Sequence, residues 1–591
     1  MVQYSKLTLT AKGAALNAKM IAGQTGFTFT KVCASDTAYT EAQLPNLTSL
    51  SGIKQTSRVS KVTRSNNVTI TIETAFTNAS LSTGYYMRTL GLYALDPTEG
   101  EILYAACVAS SDNCYMPPNN GVTSTGVYIK LIQTVGNASS VSMTVDPGAV
   151  ATIGDIEALE QEIADLKGFV GYTDDDIYGV EVDFKNKKFT RLAGATNLTP
   201  GTAFDGIGAF GGRKRCILAD DGNVLAYYGE AAYTTTGKLA QAVEKNGKTY
   251  AVGTNVQVMV EQPKFYYKMI PLELEKVEKG WIVRKARWYV SDTPRYGFKV
   301  HPLFVRNGKK KEKVYLSAFE GSLWDASASA YIMDDSQIAD FNADMLSSIA
   351  GAKPISGLTQ NLTRGNTRKL AQKRGAGWEQ QTVQAAAATQ ILMLIEYATF
   401  NMQSVLSAGN SSKTDDGASN MSEITGATAN LGNASGEVIN ANGIKMFSYR
   451  GEENFYANLW KWLDGMNQKG RVIYIADHSF TDDKGNGSYE DAGIFATESN
   501  GYISAFCYSE KYDWLFVPGE VKGDSALPVG DYFWINAGGG WMVAILGGDW
   551  SSGASGGAFY LILNNASSDR YRYIGGRLLY TPDVDLAEEA A

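Results

Sequence analysis

The sequence predicts an α+β chain of several domains, and three observations carry that reading. Its 591 residues exceed what one hydrophobic core serves, and length alone suggests about three or four domains. Glycine is abundant at 61 residues while proline is scarce at 14, which with the many Thr, Asn, Ser and Tyr residues favours strands joined by tight turns. Stretches of period two run through most of the chain, and helical spacing shows in only a few places.

The first segment, residues 1–150, reads as a small domain. Leu9 to Met20 has helical spacing, and strands follow at Phe27 to Val32 and Asn67 to Glu73. Gly84 to Ala94 leads into the turn Asp96-Pro97-Thr98-Glu99-Gly100, after which Ile102 to Ala106 forms another strand. With Tyr115 to Pro118 and a closing strand from Val141 to Pro147, these residues resemble the N-terminal domain of phage tail-collar fibre proteins. The resemblance implies attachment to a tail or baseplate.

Residues 151–170 carry a short heptad. Ile156, Leu159, Ile163 and Leu166 are spaced three, four and three apart, with acidic residues between them, which makes an a/d seam with polar flanks. Ile at a and Leu at d would by themselves suggest a dimer, whereas the fibres it resembles imply a homotrimer. An amphipathic linker helix packed on its own chain is the competing reading.

A β-rich spacer is expected over 171–259. Val180 to Phe184 alternates, and Arg213 to Ala219 pairs with Val224 to Tyr228 across Asp220-Asp221-Gly222. Val243 to Val252 makes a second hairpin about Asn246-Gly247. The final domain is expected over 260–591, opening with strands Lys264 to Lys268 and Trp281 to Trp288. The basic run Lys309 to Lys313 follows Asn307-Gly308, so it reads as the solvated decoration of a hairpin. Helices are expected over Asp335 to Ser348 and from Thr382 to about Gln403, a long exposed loop over 407–437, and strands at Val472 to Ala476 and Ile503 to Tyr508.

Composition excludes several classes. Fifty-three basic against 61 acidic residues leave a formal charge of −8, so nucleic acid is not an expected partner. No apolar run reaches the ~18 residues of a membrane span, and the N-terminus lacks the pattern of a signal peptide. Five scattered cysteines without a CxxC pair suit folding in a reducing cytosol. No cofactor is expected. The only histidines, His301 and His478, have no nucleophile motif beside them. Asp482 to Gly487 is a poor calcium loop, since Lys484 stands at a ligand position, and no metal is expected.

The last 130 residues hold the candidate site. Trp460-x-Trp462-x-Asp464-Gly465, Trp541 to Trp550 and Ile574-Gly-Gly-Arg577 resemble the C-type-lectin-like fold. Within it they look like the branch shared by formylglycine-generating enzymes and phage tropism determinants, especially proteins varied by diversity-generating retroelements. That resemblance implies a variable region at about 531–580, in which a fixed frame carries interchangeable tips. The implied ligand-binding residues are Trp541, Asp549, Ser551, Ser552, Ser555, Ile562, Asp569, Arg570, Tyr571, Arg572 and Tyr573, with Phe533, Trp534, Ile535, Met542 and Ile545 as weaker candidates. Independently, Asp569-Arg-Tyr-Arg-Tyr concentrates the side chains that dominate binding hot spots; an edge strand with Tyr inward and Arg outward is the plainer alternative.

The expected function is adhesion. A virion tail fibre made in the host cytoplasm would bind a host cell-surface protein or glycan and other tail or baseplate proteins, without inserting into a membrane. The alternatives are a surface-polysaccharide depolymerase, a formylglycine-type enzyme, or a purely structural baseplate protein. The formylglycine enzymes use a cysteine pair near the C-terminus, where this chain has only Cys507.

Overall fold

The computed structural model describes residues 4–21, 28–66, 69–111, 114–119, 125–134, 177–334, 337–417, 419–481 and 487–582. Two compact units emerge, Met1–Ile163 and Ala164–Ala591. The expected seam Ile156, Leu159, Ile163 and Leu166, the strand Val141 to Pro147 and the turn at 482–486 lie outside the described residues. The chain is mainly β and multidomain, with few helices.

In Met1–Ile163 an antiparallel five-stranded sheet runs in the order Thr8–Leu9, Gly100–Val108, Thr89–Asp96, Thr28–Ser35, Ile53–Arg58. The helix Ala11–Ile21 lies against Gly100–Val108. Gly13 permits this closeness, because a Cβ there would lie 1.9 Å from the Tyr104 carbonyl oxygen. The Asp96–Gly100 turn closes the hairpin as its sequence predicts: Asp96 Oδ1 accepts from the Thr98 amide and hydroxyl, both at 2.8 Å. A second sheet holds three strands, Lys61–Asn66, Thr69–Thr77 and Gly126–Thr134, and Tyr85–Tyr86 pairs with Tyr115–Met116.

In Ala164–Ala591, residues on both sides of the expected border at 259/260 build the same sheets. Tyr178–Asp183 pairs with Trp281–Ser291, and Lys214–Leu218 with Gln257–Pro263, which pairs in turn with Lys313–Ser317. One hydrophobic core reaches from Val180 to Leu579. The two hairpins expected at Asp220-Asp221-Gly222 and Asn246-Gly247 are present.

The helix Val383–Tyr397 runs through this core. Thr382 caps it, accepting from the Ala385 amide at 3.3 Å, and Ala398 in the left-handed conformation ends it. The expected helix to Gln403 therefore stops near residue 397, and a separate turn of helix follows at Met402–Val405. All but one of its 15 residues are buried, so it has no wet face. Its polar side chains are partnered internally: Gln390 Nε2 donates to the Ala558 carbonyl at 2.7 Å, and Glu396 accepts from Arg450 at 2.7 and 2.8 Å.

Two further expectations fail. Residues 337–348 form no helix; Asp344 Oδ2 accepts from the Asp340 amide and Oδ1 from the Ala326 amide, and Met345–Ser347 joins Ser322–Asp325 as a strand. Short carboxylates here capture the backbone donors a helix would need. The polar segment 407–437 is exposed only in part, chiefly at Ser412, Thr414 to Gly417 and Ser419. Asn410, Ser411, Asn420, Glu423, Thr425 and Thr428 are all buried, and their partners are internal, as in Asn410 to Asn458 at 2.8 Å and Thr428 to Glu453 at 2.7 Å. Among the described residues no helix is long and apolar enough to cross a membrane.

Candidate ligand-binding site

Four strands build the frame of the predicted surface. Trp460–Lys469 pairs with Trp541–Leu546, which pairs with Leu561–Asn565, which pairs in parallel with Tyr532–Ile535. Period-two alternation divides their side chains. Phe533, Ile535, Leu561 and Leu563 enter the main core. On the other face Trp462, Val543, Ile545, Tyr560, Ile562 and Ile574 form a smaller buried cluster, with Trp460, Tyr532 and Tyr573 packed at its edge.

Above that cluster opens a pocket of about 440 Å³. Its aromatic wall is Trp460, Trp534, Tyr560 and Tyr573, and its polar wall is Asp549, Ser551, Ser552, Ser555 and Asn564, with Ile562 in the lining. Trp534 and Tyr571 are exposed at the rim, at 38% and 37%. The aromatic belt continues beyond the pocket: Tyr532 meets Trp534 at 4.9 Å and Tyr502 at 5.1 Å between ring centroids.

The polar wall is a glycine-bounded turn. Gly548 holds φ +88°, and a Cβ there would lie 2.9 Å from Gly556 Cα. Asp549 Oδ1 gathers the turn, accepting from the Ser551 amide at 2.9 Å, the Ser551 hydroxyl at 3.1 Å and the Ser552 hydroxyl at 2.8 Å. Ser552 Oγ also accepts weakly from Trp460 Nε1 at 3.4 Å, linking the two walls. The 407–437 segment anchors the turn from behind, its backbone bonding from Ser411 to Gly553 at 2.6 Å and from Lys413 to Trp550 at 2.8 Å.

Six of the eleven predicted residues, Asp549, Ser551, Ser552, Ser555, Ile562 and Tyr573, therefore line one pocket, and Tyr571 stacks on Tyr573 beside it. The other four are placed differently. Arg572 is buried at 8% exposure, lies over the Trp550 ring, and pairs with Asp415 and Asp416. Asp569 caps a turn, accepting from the Ala566 amide at 3.0 Å and Asn565 at 3.2 Å. Trp541 packs on Tyr474 at 4.9 Å, at the far end of its strand. Arg570 is exposed and outside the pocket. Of the weaker candidates, Phe533, Ile535 and Ile545 are buried and Met542 is half-buried outside the lining.

Sequence reasoning missed Trp460, Tyr560 and Asn564 as lining residues. The first was taken only as part of a framework motif, although a Trp two residues before a buried Trp462 on one strand faces the same side.

Burial raises the Tyr573 phenol above its ordinary pKa, with Tyr571 and Asp549 adding to the effect. It therefore stays a neutral donor and acceptor near neutrality. Cys507 is buried, and burial pushes its thiol up to about 12; Cys216, also buried, sits in a different cluster. Among the described residues no group of three His, Cys, Asp or Glu side chains is placed to hold a metal ion.

Several chains of solved structures match. Two of them are the Major Tropism Determinant U1 Variant and the Major Tropism Determinant P3c Variant, each 12% identical over 66% of this chain and 77% of that chain, with TM-scores of 0.23 and 0.22. Likeness of that size carries no argument about this chain. No protein-family model and no curated protein matches it.

Proposed function

We propose that this protein is a phage tail-fibre adhesin that binds a host cell-surface protein or glycan through the aromatic pocket between Trp534 and Tyr573. One observation carries the reading: dissimilar polar and aromatic side chains converge on a single open pocket while their neighbours lock the frame beneath. Rings that are rigid and amphipathic supply contact area at small entropic cost, and serines and Asn564 adapt by hydrogen bonding. Support from a built turn and a packed cluster below is what a fixed frame with replaceable tips requires.

In this reading the residues near 1–150 attach to the tail or baseplate, the 151–170 heptad joins three copies, and the lectin-like frame presents the pocket from a virion. Several weak identical pockets on one particle give avidity well above that of a single pocket. The role is non-enzymatic. The test is binding of the fluorescently labelled full chain to host cells, compared with Trp534→Ala plus Tyr571→Ala. Loss of binding with a melting temperature lowered by only a few degrees is expected; undiminished binding overturns the proposal.

A second reading, cleavage of a surface polysaccharide, has one supporting observation. Asp477 and Glu490 line a separate cavity together with Tyr512 and Trp514. Glu490, however, is already engaged by Lys511 and by the Tyr512 hydroxyl at 2.9 Å, whereas cleavage of a glycosidic bond needs a carboxyl group free to reach the scissile oxygen. Release of new reducing ends from host polysaccharide would establish it against the adhesin reading.

A further inference from the structure

Strand register lays a row of rings across one face of the sheet that carries the pocket. Tyr532 and Trp534 stand two residues apart on Tyr532–Ile535 and share a face, while Phe533 and Ile535 enter the core from the other. Tyr502 lies directly opposite Tyr532 on the neighbouring strand Gly501–Tyr502, and Trp534 is paired with Ile562 on the far side. Tyr560 and Asn564, each two residues from Ile562, fall on that same face.

The belt is continuous and partly wet. Tyr502, Tyr532 and Trp534 follow one another at 5.1 and 4.9 Å between ring centroids. The first two are half-buried and the third is exposed, so each keeps part of its ring in solvent. Trp534 is also a wall of the pocket, and Trp460, Tyr573 and Tyr571 carry the aromatic surface across it. The Tyr502 hydroxyl lies 3.4 Å from Ser555 Oγ, which ties the outer belt to the polar wall. An apolar surface continued over this many rings marks a site of interaction.

The lining narrows the kind of partner. Serine hydroxyls and the Asn564 amide both donate and accept, and Asp549 accepts. Among the described residues no lining side chain is cationic, so a phosphate, sulfate or carboxylate group has no charge partner there and meets Asp549 instead. Ile562 is the only aliphatic residue of the lining and is 1% exposed. An aliphatic anchor of a protein epitope therefore finds no socket of its own. A quaternary ammonium group suits aromatic faces, but it is far smaller than a pocket of about 440 Å³ and would leave the belt beyond it unused.

We propose that the ligand is a linear, uncharged glycan, with one sugar ring seated in the pocket between Trp534 and Tyr573 and the following sugars laid along Tyr532 and Tyr502. A pyranose presents C–H groups on its face and hydroxyls around its edge. The C–H groups suit the negative face of an aromatic ring, and the hydroxyls suit groups that donate and accept together. A row of rings repeats that match along a polymer. This inference rests on the adhesin reading and narrows its ligand from a protein or glycan to a glycan.

Binding of the labelled full chain to host cells is compared before and after mild periodate oxidation, which cleaves the vicinal diols of sugars. Periodate is expected to abolish it. Deproteinised polysaccharide extracted from the same cells should compete with the cells for the chain, and phosphocholine should not. Tyr532→Leu keeps apolar bulk but removes the ring, and should weaken polysaccharide binding by about threefold or more, whereas Tyr532→Phe should bind as the parent does. Tyr502→Leu, on a different strand, should show the same loss. Binding that survives periodate, a polysaccharide that fails to compete, displacement by phosphocholine, or leucine variants as good as the parent would each overturn the glycan and leave the adhesin reading in place. A chain that binds no untreated host cell overturns both.

Discussion

Tyr571 and Tyr573 stack with their ring centroids 5.2 Å apart and their planes 10° from parallel. One is a rim residue exposed to solvent, while the other reaches Trp460 edge-on at 4.8 Å and lines the pocket. Adjacent in pattern, they differ in what they support.

Tyr571→Ala should therefore cost about 1 kcal/mol or less in chemical denaturation, the worth of an exposed aromatic pair. Tyr573→Ala removes a ring packed on Trp460 and on the buried cluster beneath it, and should cost about 2–4 kcal/mol. Equal losses would show that the two rings do not divide into tip and frame.

Arg572 ties the C-terminal segment to the 407–437 segment through Asp415, Asp416 and the Ser419 carbonyl. Its carboxylate partners are 44% and 45% exposed, so solvent screens the pair and the ionic part is modest. Arg572→Met keeps the packing over Trp550 and should cost about 1–2 kcal/mol. Proteolysis should show the matching effect, with faster cleavage near residues 412–420.

Gly548→Ala places a side chain at φ +88° and within 2.9 Å of Gly556 Cα. Strain at such a position costs about 1–3 kcal/mol. The polar wall should also shift, so cell binding is expected to fall together with the melting temperature, whereas the tip variants should lower binding with a smaller loss of stability.

His301 is fully buried, and burial depresses its pKa from 6.5 to about 3. The unfolded chain then binds a proton between pH 6.5 and 3 that the folded chain refuses. Stability contributed by this group is present above pH 6.5 and is lost as pH falls through that window, by up to about 1.4 kcal/mol per pH unit. His301→Asn retains a side-chain acceptor for the Leu303 amide, which His301 Nδ1 now serves at 3.2 Å. Its unfolding free energy should fall less steeply between pH 6 and 4 than that of the parent; parallel curves would refute the assignment.

Local pattern and turn chemistry made most strands legible. Asn246-Gly247 and Asp96 to Gly100 specify their turns with side chains and backbone conformations available within a few residues, and Thr382 announces its helix in the same way. Asp549, Ser551, Ser552, Ser555 and Tyr573, singled out through the resemblance, come together in the lining of one pocket.

What the sequence by itself determined is therefore the local part: strand period, hairpin turns, caps, and the glycine-bounded turn that holds Asp549 and its serines. The tertiary structure alone decided which polar residues face water. Arg572, Asp569 and much of 407–437 are polar, and polarity reads as exposure, yet they find internal partners far along the chain or in a neighbouring turn. A buried charge or amide is tolerable only when such partners are supplied, and which distant residue supplies them is settled by packing rather than by any nearby pattern.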